Sequence, residues 1–380
     1  MSNYKEQQDA PKRKWRVIKK ILKYLLILVA VLAAGIFLFV NLSPTFGSNP
    51  STEQKEFYGT FDNYADGKFV FQPSEELDTG VERVSAIAAS EERRPPEQLP
   101  VAEIDWDSIN SEEDSLTWLG HSAFIVSVDN KKVLIDPMLG STASPVSFIG
   151  PKRYTEDLLY LIDEMPPIDA VFITHDHYDH LDYESIKRLK DKVAHFVVPH
   201  GVGNHLVGWG VAEEDITEMN WWDEIEFEGL DVALTPAKHF SGRGLLNQGS
   251  TLWGGWVILG EQTRFFVSGD GGYDTHFKKI GDRFGPFDIA LIEGAQYDER
   301  WRESHMIPEE SVQASIDLQA EQMMLTHWGG FTLARHSWTE PIERAIQAAA
   351  EQEVDLIAPQ IGETVPMDGE SPDPLSEWWK

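Results

Sequence analysis

The 380-residue chain contains no cysteine. Disulfides, iron–sulfur clusters and thiolate-bound zinc are therefore excluded, as is any dinuclear site that places a cysteine on one of its metals. No Gly-x-Ser-x-Gly turn is present either, so a serine nucleophile presented on a strand-to-helix elbow is absent. Positive charge is scarce, with 32 Lys and Arg against 63 Asp and Glu, a net charge of −31. Eight of the basic residues lie within the first 40 positions, and from Asn41 onward 24 basic face 61 acidic side chains, a balance of −37. So acidic a body repels DNA and RNA, whose binding requires phosphate neutralisation, and it repels a bare anionic membrane surface. The acidity fits solubility or a saline habitat, and local basic residues could still receive an anionic substrate.

Long apolar runs are also rare, and the one that exists stands near the N-terminus. Lys12-Arg13-Lys14-Trp15-Arg16, Lys19-Lys20 and Lys23 precede an apolar run from Tyr24 to Val40. With its flanks this approaches the ~20 residues that cross a bilayer as a helix. The basic residues before it place the N-terminus in the cytoplasm and the remainder outside. A cleavable signal peptide is the competing reading, though Asn41-Leu42-Ser43-Pro44 offers no small-x-small cleavage site. The following stretch, 41–114, is acidic and rich in Pro, Ser and Glu, the composition of a linker or an arm lying over the body. Six aromatics from Phe57 to Phe71, around Asp66-Gly67, suggest a packed turn within it.

From Ser115 the pattern becomes regular. Short β-branched and apolar runs alternate with helical spacing, which argues for two sheets sandwiched between helices. Helices are expected over Tyr154 to Met165, Tyr273 to Phe284, Pro308 to Ala320 and Pro341 to Glu351; strands include Thr251 to Leu259. After the run Asp169 to Ile173 comes Thr174-His175-Asp176-His177-Tyr178-Asp179-His180-Leu181-Asp182. Three imidazoles and a carboxylate thus leave a strand end on one tight loop, and such ligands suit zinc or a similar divalent metal. His175 and His177, two apart, can reach one metal from an extended segment, while Asp179 and His180 point towards a second.

His-x-His-x-Asp-His after a strand resembles the signature of the metallo-β-lactamase superfamily. Trp118-Leu119-Gly120-His121, Pro236-Ala237-Lys238-His239, Ser268-Gly269-Asp270 and Thr326-His327-Trp328-Gly329 are similar to motifs of its N-acylphosphatidylethanolamine phospholipase D branch and the bacterial relatives of that branch. The resemblance runs from Ser115 to Glu363. It implies an α/β fold, the αββα metallo-β-lactamase sandwich, with metals at one edge between the sheets. It implies that His175, His177 and His239 hold a first metal, that Asp179, His180 and His327 hold a second, and that Asp270 bridges. Zinc suits such ligands best, with manganese and iron open. The hydroxide of a bridging water would then attack a phosphodiester, of phospholipid type by the resemblance, or a lactone or other acyl centre; a non-catalytic metal-binding scaffold is the third reading. Asp270, His305 and Asp179 would carry the chemistry. His121, Arg243, Tyr297 and His305 are candidates for touching substrate, His305 as donor to the leaving group.

Asp176 and Asp182 could accept protons from ligand imidazoles. His195, His200, His205, His276 and His336 draw no role. The chain departs from the phospholipase pattern at Ile292-Glu293-Gly294-Ala295-Gln296-Tyr297, where that family has Ile-Pro-Ile-Gly-Ala-Tyr. A carboxylate and an amide replace apolar residues there, on a loop expected to face substrate. The organisation expected is a basic cytoplasmic tail over 1–20, a transmembrane signal-anchor over 21–40 and an acidic extension over 41–114. A hydrolase domain over 115–366 and a tail over 367–380 follow. The partners expected are a small-molecule or lipid substrate and the membrane, not nucleic acid.

Overall fold

The computed structural model describes residues 2–74, 90–244, 246–367 and 375–380. It divides into two compact units, 1–46 and 47–380. The first is one helix, Ser2–Leu42, closed by a single turn, Pro44–Phe46. Within it Trp15–Leu42, 28 residues, is long and apolar enough to cross a membrane. The helix also takes in the basic residues ahead of the apolar run, because Lys and Arg extend a helix readily once it is nucleated.

The second unit is built on two seven-stranded mixed sheets. The first runs in spatial order Thr364–Pro366, Ser115–Trp118, Phe124–Val128, Lys131–Ile135, Ile168–Phe172, Val193–Pro199, Ile216–Met219. The second runs Asp355–Ile357, Ala320–Thr326, Phe287–Glu293, Arg264–Val267, Gly255–Leu259, Leu230–Thr235, Glu224–Phe227. Each begins with antiparallel meanders and turns parallel where helices intervene, as crossover connections require.

Strand alternation sorts the side chains into layers. Phe124, Val126, Ala170 and Phe172 meet Leu234, Trp256, Phe265 and Ile289 between the sheets. Ile125, Val171 and Phe196 turn outward onto the helices carrying Ile186, Leu189 and Leu206. Phe266, Ala290 and Ile292 turn outward onto Phe277, Ile280 and Ala314. The αββα sandwich expected from the sequence is therefore the observed one.

Three local expectations differ. Of Tyr154 to Met165 only Leu161–Glu164 is helical. The main chain before it bonds to distant loops instead, with Tyr154 N donating to Gly330 O (2.8 Å) and Leu158 N to Leu139 O (2.8 Å). The strand expected from Thr251 begins at Gly255, because Leu252 N donates to His200 O and Gly254 N to Thr174 O. Third, of the linker or overlying arm expected over 41–114, the described residues from Gly47 onward are built into the body. Helix Thr52–Tyr58 and the strand pair Tyr64–Ala65 and Lys68–Phe69 bury Tyr58 and Phe69 in the inner core, and Phe69 N donates to Gly249 O at 2.8 Å. The expected linker residues 75–89 lie outside the described residues, as do 368–374 of the expected tail. The rest of that tail packs, with Trp378 stacked on Trp328 at 5.4 Å and Trp379 buried.

Candidate metal centre

The site gathers at one end of the sandwich, where strands from both sheets stop and their next residues turn inward. His121 follows Ser115–Trp118, His175 follows Ile168–Phe172, Asp270 follows Arg264–Val267 and His327 follows Ala320–Thr326. Left-handed backbone makes several of these turns, with φ of 58° at His121, 67° at His327 and 60° at Gly269. A side chain at Gly269 would collide with Gly254 O and Thr174 Cβ, at 2.8 and 2.9 Å, so glycine alone lets Asp270 approach.

Two clusters result. His175, His177, His239 and Asp270 form one, and His121, Asp179, His180 and His327 the other, each with its ligand atoms mutually within 4.8 Å. In the first, His177 Nδ1 lies 2.9 Å from His175 Nε2 and 3.2 Å from His239 Nε2. In the second, His121 Nε2 lies 2.9 Å from Asp179 Oδ2, with His180 and His327 at 3.6 and 3.9 Å from the same oxygen. Asp270 touches both clusters. Its Oδ2 is 3.7 Å from His175, 3.8 Å from His239 and 3.2 Å from His180, and its Oδ1 is 3.0 Å from His327 Nδ1. All seven side chains proposed as ligands are thus brought together, and His121 joins them.

The donor set fits divalent cations. His239 Nδ1 faces the Ser304 carbonyl at 3.0 Å and His180 Nδ1 faces Asp136 Oδ2 at 2.7 Å. In each neutral ring the proton therefore sits on Nδ1, and the Nε2 lone pair points into the cluster. His180 Nε2, His327 Nε2 and Asp270 Oδ1 are buried yet make no aligned hydrogen bond, close as their neighbours are. Buried lone pairs converging without donors are costly, and a cation is the species that satisfies them. Burial works against the charged form of His180, but Asp270, Asp179 and Asp136 together outweigh it and raise its pKa, so a cation at Nε2 would take the place of a proton favoured by the same carboxylates. Burial lowers the pKa of His175, His239 and His327, reinforced in each by neighbouring imidazoles.

The support for these ligands differs from the expected one. Asp182 caps helix Tyr183–Leu189 by accepting from Ser185 N at 2.9 Å, and Asp176 accepts from Gly242 N (2.7 Å), Thr251 Oγ1 (3.0 Å) and His205 Nε2 (3.2 Å). Neither carboxylate holds a ligand imidazole. Asp136, passed over in the sequence, does: besides His180 it accepts from Thr174 N (2.7 Å) and Thr174 Oγ1 (2.6 Å). The sequence signal was a carboxylate directly after the run Val133 to Ile135; the structure gives it a φ of 41° and sets its strand parallel to the one that feeds the metal loop.

Among the substrate candidates, His305 is at the site. Its ring lies nearly parallel to that of His327 (5.1 Å) and edge-on to His239 (5.2 Å), and Nδ1 is 3.5 Å from Glu293 Oε1. Arg243 is neither a phosphate clamp nor a solvated loop residue. It is buried, donating to the carbonyls of Asp176 and Leu181 at 2.7 Å each, with its guanidinium over Tyr178. Tyr297 is wholly buried, and its hydroxyl bonds Glu340 at 2.9 Å, away from the clusters. The expectation that Glu293 and Gln296 face substrate also fails. Gln296 is buried and ties His327 O to the loop after it, accepting from Leu333 N and Ala334 N. Glu293 lies beneath His305, accepting from Gly271 N (3.2 Å) and Met306 N (3.0 Å), and burial pushes its carboxyl up to about 7.

Residues 131–328 match the β-lactamase superfamily domain. An uncharacterised protein of Mycobacterium tuberculosis is 36% identical over 328 residues, covering 84% of this chain and 87% of its own. N-acyl-phosphatidylethanolamine-hydrolyzing phospholipase D 1 of Caenorhabditis elegans is 36% identical over 249 residues, 62% of this chain and 69% of its own. Among solved structures, a metallohydrolase from the archaeon Ignicoccus hospitalis superimposes with a TM-score of 0.51 at 26% identity, over 66% of this chain and 97% of its own.

Proposed function

Since the chain belongs to the metallo-β-lactamase superfamily and is a metal-dependent hydrolase, we propose that it hydrolyses a phosphodiester of phospholipid type while anchored to a membrane by its N-terminal helix. The observation that carries the reading is Asp270, one carboxylate touching both clusters of imidazoles. In this proposal His175, His177 and His239 hold one cation, Asp179, His180 and His327 hold the other with His121, and Asp270 is shared. Bound divalent cations supply Lewis acidity at the scissile group and an acidified water near neutral pH.

The chain's own residues do the remaining work. Asp136 holds the His180 ring, with its lone pair presented to the clusters, and the Ser304 carbonyl does the same for His239. His305 stands at the edge of the site on Glu293, placed to give a proton to the departing oxygen. A lipid substrate is supported by the similarity to the C. elegans phospholipase D and by the apolar helix.

The test is parallel hydrolysis of bis(p-nitrophenyl) phosphate, an N-acylated phosphatidylethanolamine and a panel of lactones, with metal analysis of the same preparation. Phosphodiester turnover with about two metals per chain is expected. Turnover of lactones alone overturns the substrate assignment. Less than one metal per chain, with no activity after zinc or manganese is added, overturns catalysis in favour of a binding scaffold.

A further inference from the structure

Asp176 is flanked in sequence by His175 and His177, yet its side chain faces away from the clusters and is fully buried. It anchors the metal loop to its surroundings. Gly242 N and Thr251 Oγ1 donate to the carboxylate, and Arg243 donates to the Asp176 carbonyl. The remaining donor is His205 Nε2, at 3.2 Å, from helix Gly203–Gly208. The other nitrogen of that ring, Nδ1, lies 2.8 Å from the main-chain N of Ser48.

The hydrogens on this chain can be assigned from the partners alone. A main-chain N–H can only donate, so His205 Nδ1 accepts and the proton of the neutral ring sits on Nε2, aimed at Asp176. The contact is closely built. Gly47 adopts a φ of +70° and any side chain there would overlap the His205 ring, while a side chain at Gly208 would come within 2.6 Å of Ser48 Oγ. The seam continues as Asn247 Nδ2 bonds Asn49 Oδ1 (3.3 Å) and Gln54 Nε2 bonds Asn204 Oδ1 (3.0 Å).

We propose that Gly47–Ser48, the first residues of the catalytic unit, position the metal loop: the Ser48 N–H orients His205, His205 holds Asp176, and Asp176 sets the aim of the His175 and His177 rings. Ser48 and His205 are thus positioning residues for one of the two cation sites. Their contribution is independent of the Ser48 side chain, since only its N–H is used. The inference rests on the reading of the clusters as metal sites.

The full-length protein in detergent micelles tests it. Zinc affinity is read by competition with a chromophoric chelator, and the visible spectrum of the cobalt-loaded protein is read alongside. Ser48→Ala, which keeps the N–H, is expected to bind within twofold of wild type. Ser48→Pro, which removes it, and His205→Leu, which removes both bonds, are expected to bind one metal equivalent roughly tenfold more weakly and to shift the cobalt spectrum. Ser48→Pro and His205→Leu should also lower the melting temperature of the metal-free protein, because buried hydrogen bonds are lost. Affinity and the cobalt spectrum are therefore read well below the transition of each protein, where a merely structural role leaves both unchanged. Equal affinity in all four proteins, or equal loss in Ser48→Ala and Ser48→Pro, overturns the inference. If His205→Leu fails to fold, the two Ser48 variants decide alone. A wild-type protein that binds no metal instead overturns the reading of the clusters themselves.

Discussion

Asp136 shows how much a single buried carboxylate contributes without meeting substrate. It fixes the first residue of the metal loop through Thr174 and the tautomer of His180 through Nδ1. Asp136→Asn keeps the shape but offers an amide whose NH2 cannot accept from His180. Loss of such a partner costs about 10–100-fold in metal affinity, to be read by chelator competition, with the unfolding midpoint of the metal-free protein as control. A second buried residue, His276, gives a pH signature away from the imidazole clusters. Burial pushes its pKa down to about 3, against the pull of Asp274 and with the help of Lys238 and Lys279, and its ring packs on Phe71 and Phe277. The unfolded chain takes up this proton near pH 6.5, whereas the folded chain resists it until about 3. Its stability is therefore fully present above about pH 6.5 and is lost as pH falls through that window, by about 1.4 kcal/mol per pH unit. His276→Phe should flatten the stability curve between pH 4 and 6 relative to wild type in denaturant titrations.

At the scale of the element, strand ends do the positioning. The apolar runs were legible as strands because both faces of each sheet are covered, so nearly every residue of Phe124–Val128 or Phe287–Glu293 is buried and apolar. The helix expected over Tyr154 to Met165 was not, because its main-chain donors are satisfied by loops over 100 residues away or by the chain before it. The turn at Gly269 is the place where an element end is under most constraint. Gly269→Ala should cost about 1–2 kcal/mol from the left-handed backbone alone, and typically about 1–3 kcal/mol more from the collision with Gly254 and Thr174. Thermal unfolding checks the stability loss, and it should be accompanied by weaker metal binding as Asp270 is displaced.

For the molecule as a whole, two properties combine: a body with a large excess of acid and one apolar helix at the N-terminus. Buried imidazole and carboxylate lone pairs crowd one end of the body, so bound metal should stabilise the fold by mass action. Stripping with EDTA is expected to lower the melting temperature, with a ligand at a thousandfold over its Kd contributing about 4 kcal/mol. Zinc added back should restore the transition; an unchanged one would count against the clusters as metal sites. The apolar helix makes a separate prediction. The full chain should sediment with membranes and resist extraction by high salt or carbonate, yielding only to detergent.

The sequence by itself determined which ligand-type side chains gather at the site and the class of fold. Ligand type is a property of side chains, the His and Asp residues follow short apolar β-branched runs that read as strands, and the missing cysteine removes the thiolate alternatives. What only the tertiary structure decided is who supports those ligands. Asp136, Gln296, Arg243 and His205 act across separations that no local spacing encodes, because a buried donor or acceptor takes whichever partner the packing of distant segments brings within reach. For the same reason Ser48, far upstream in an acidic stretch that reads as linker, ends within hydrogen-bonding distance of a ring that braces the metal loop.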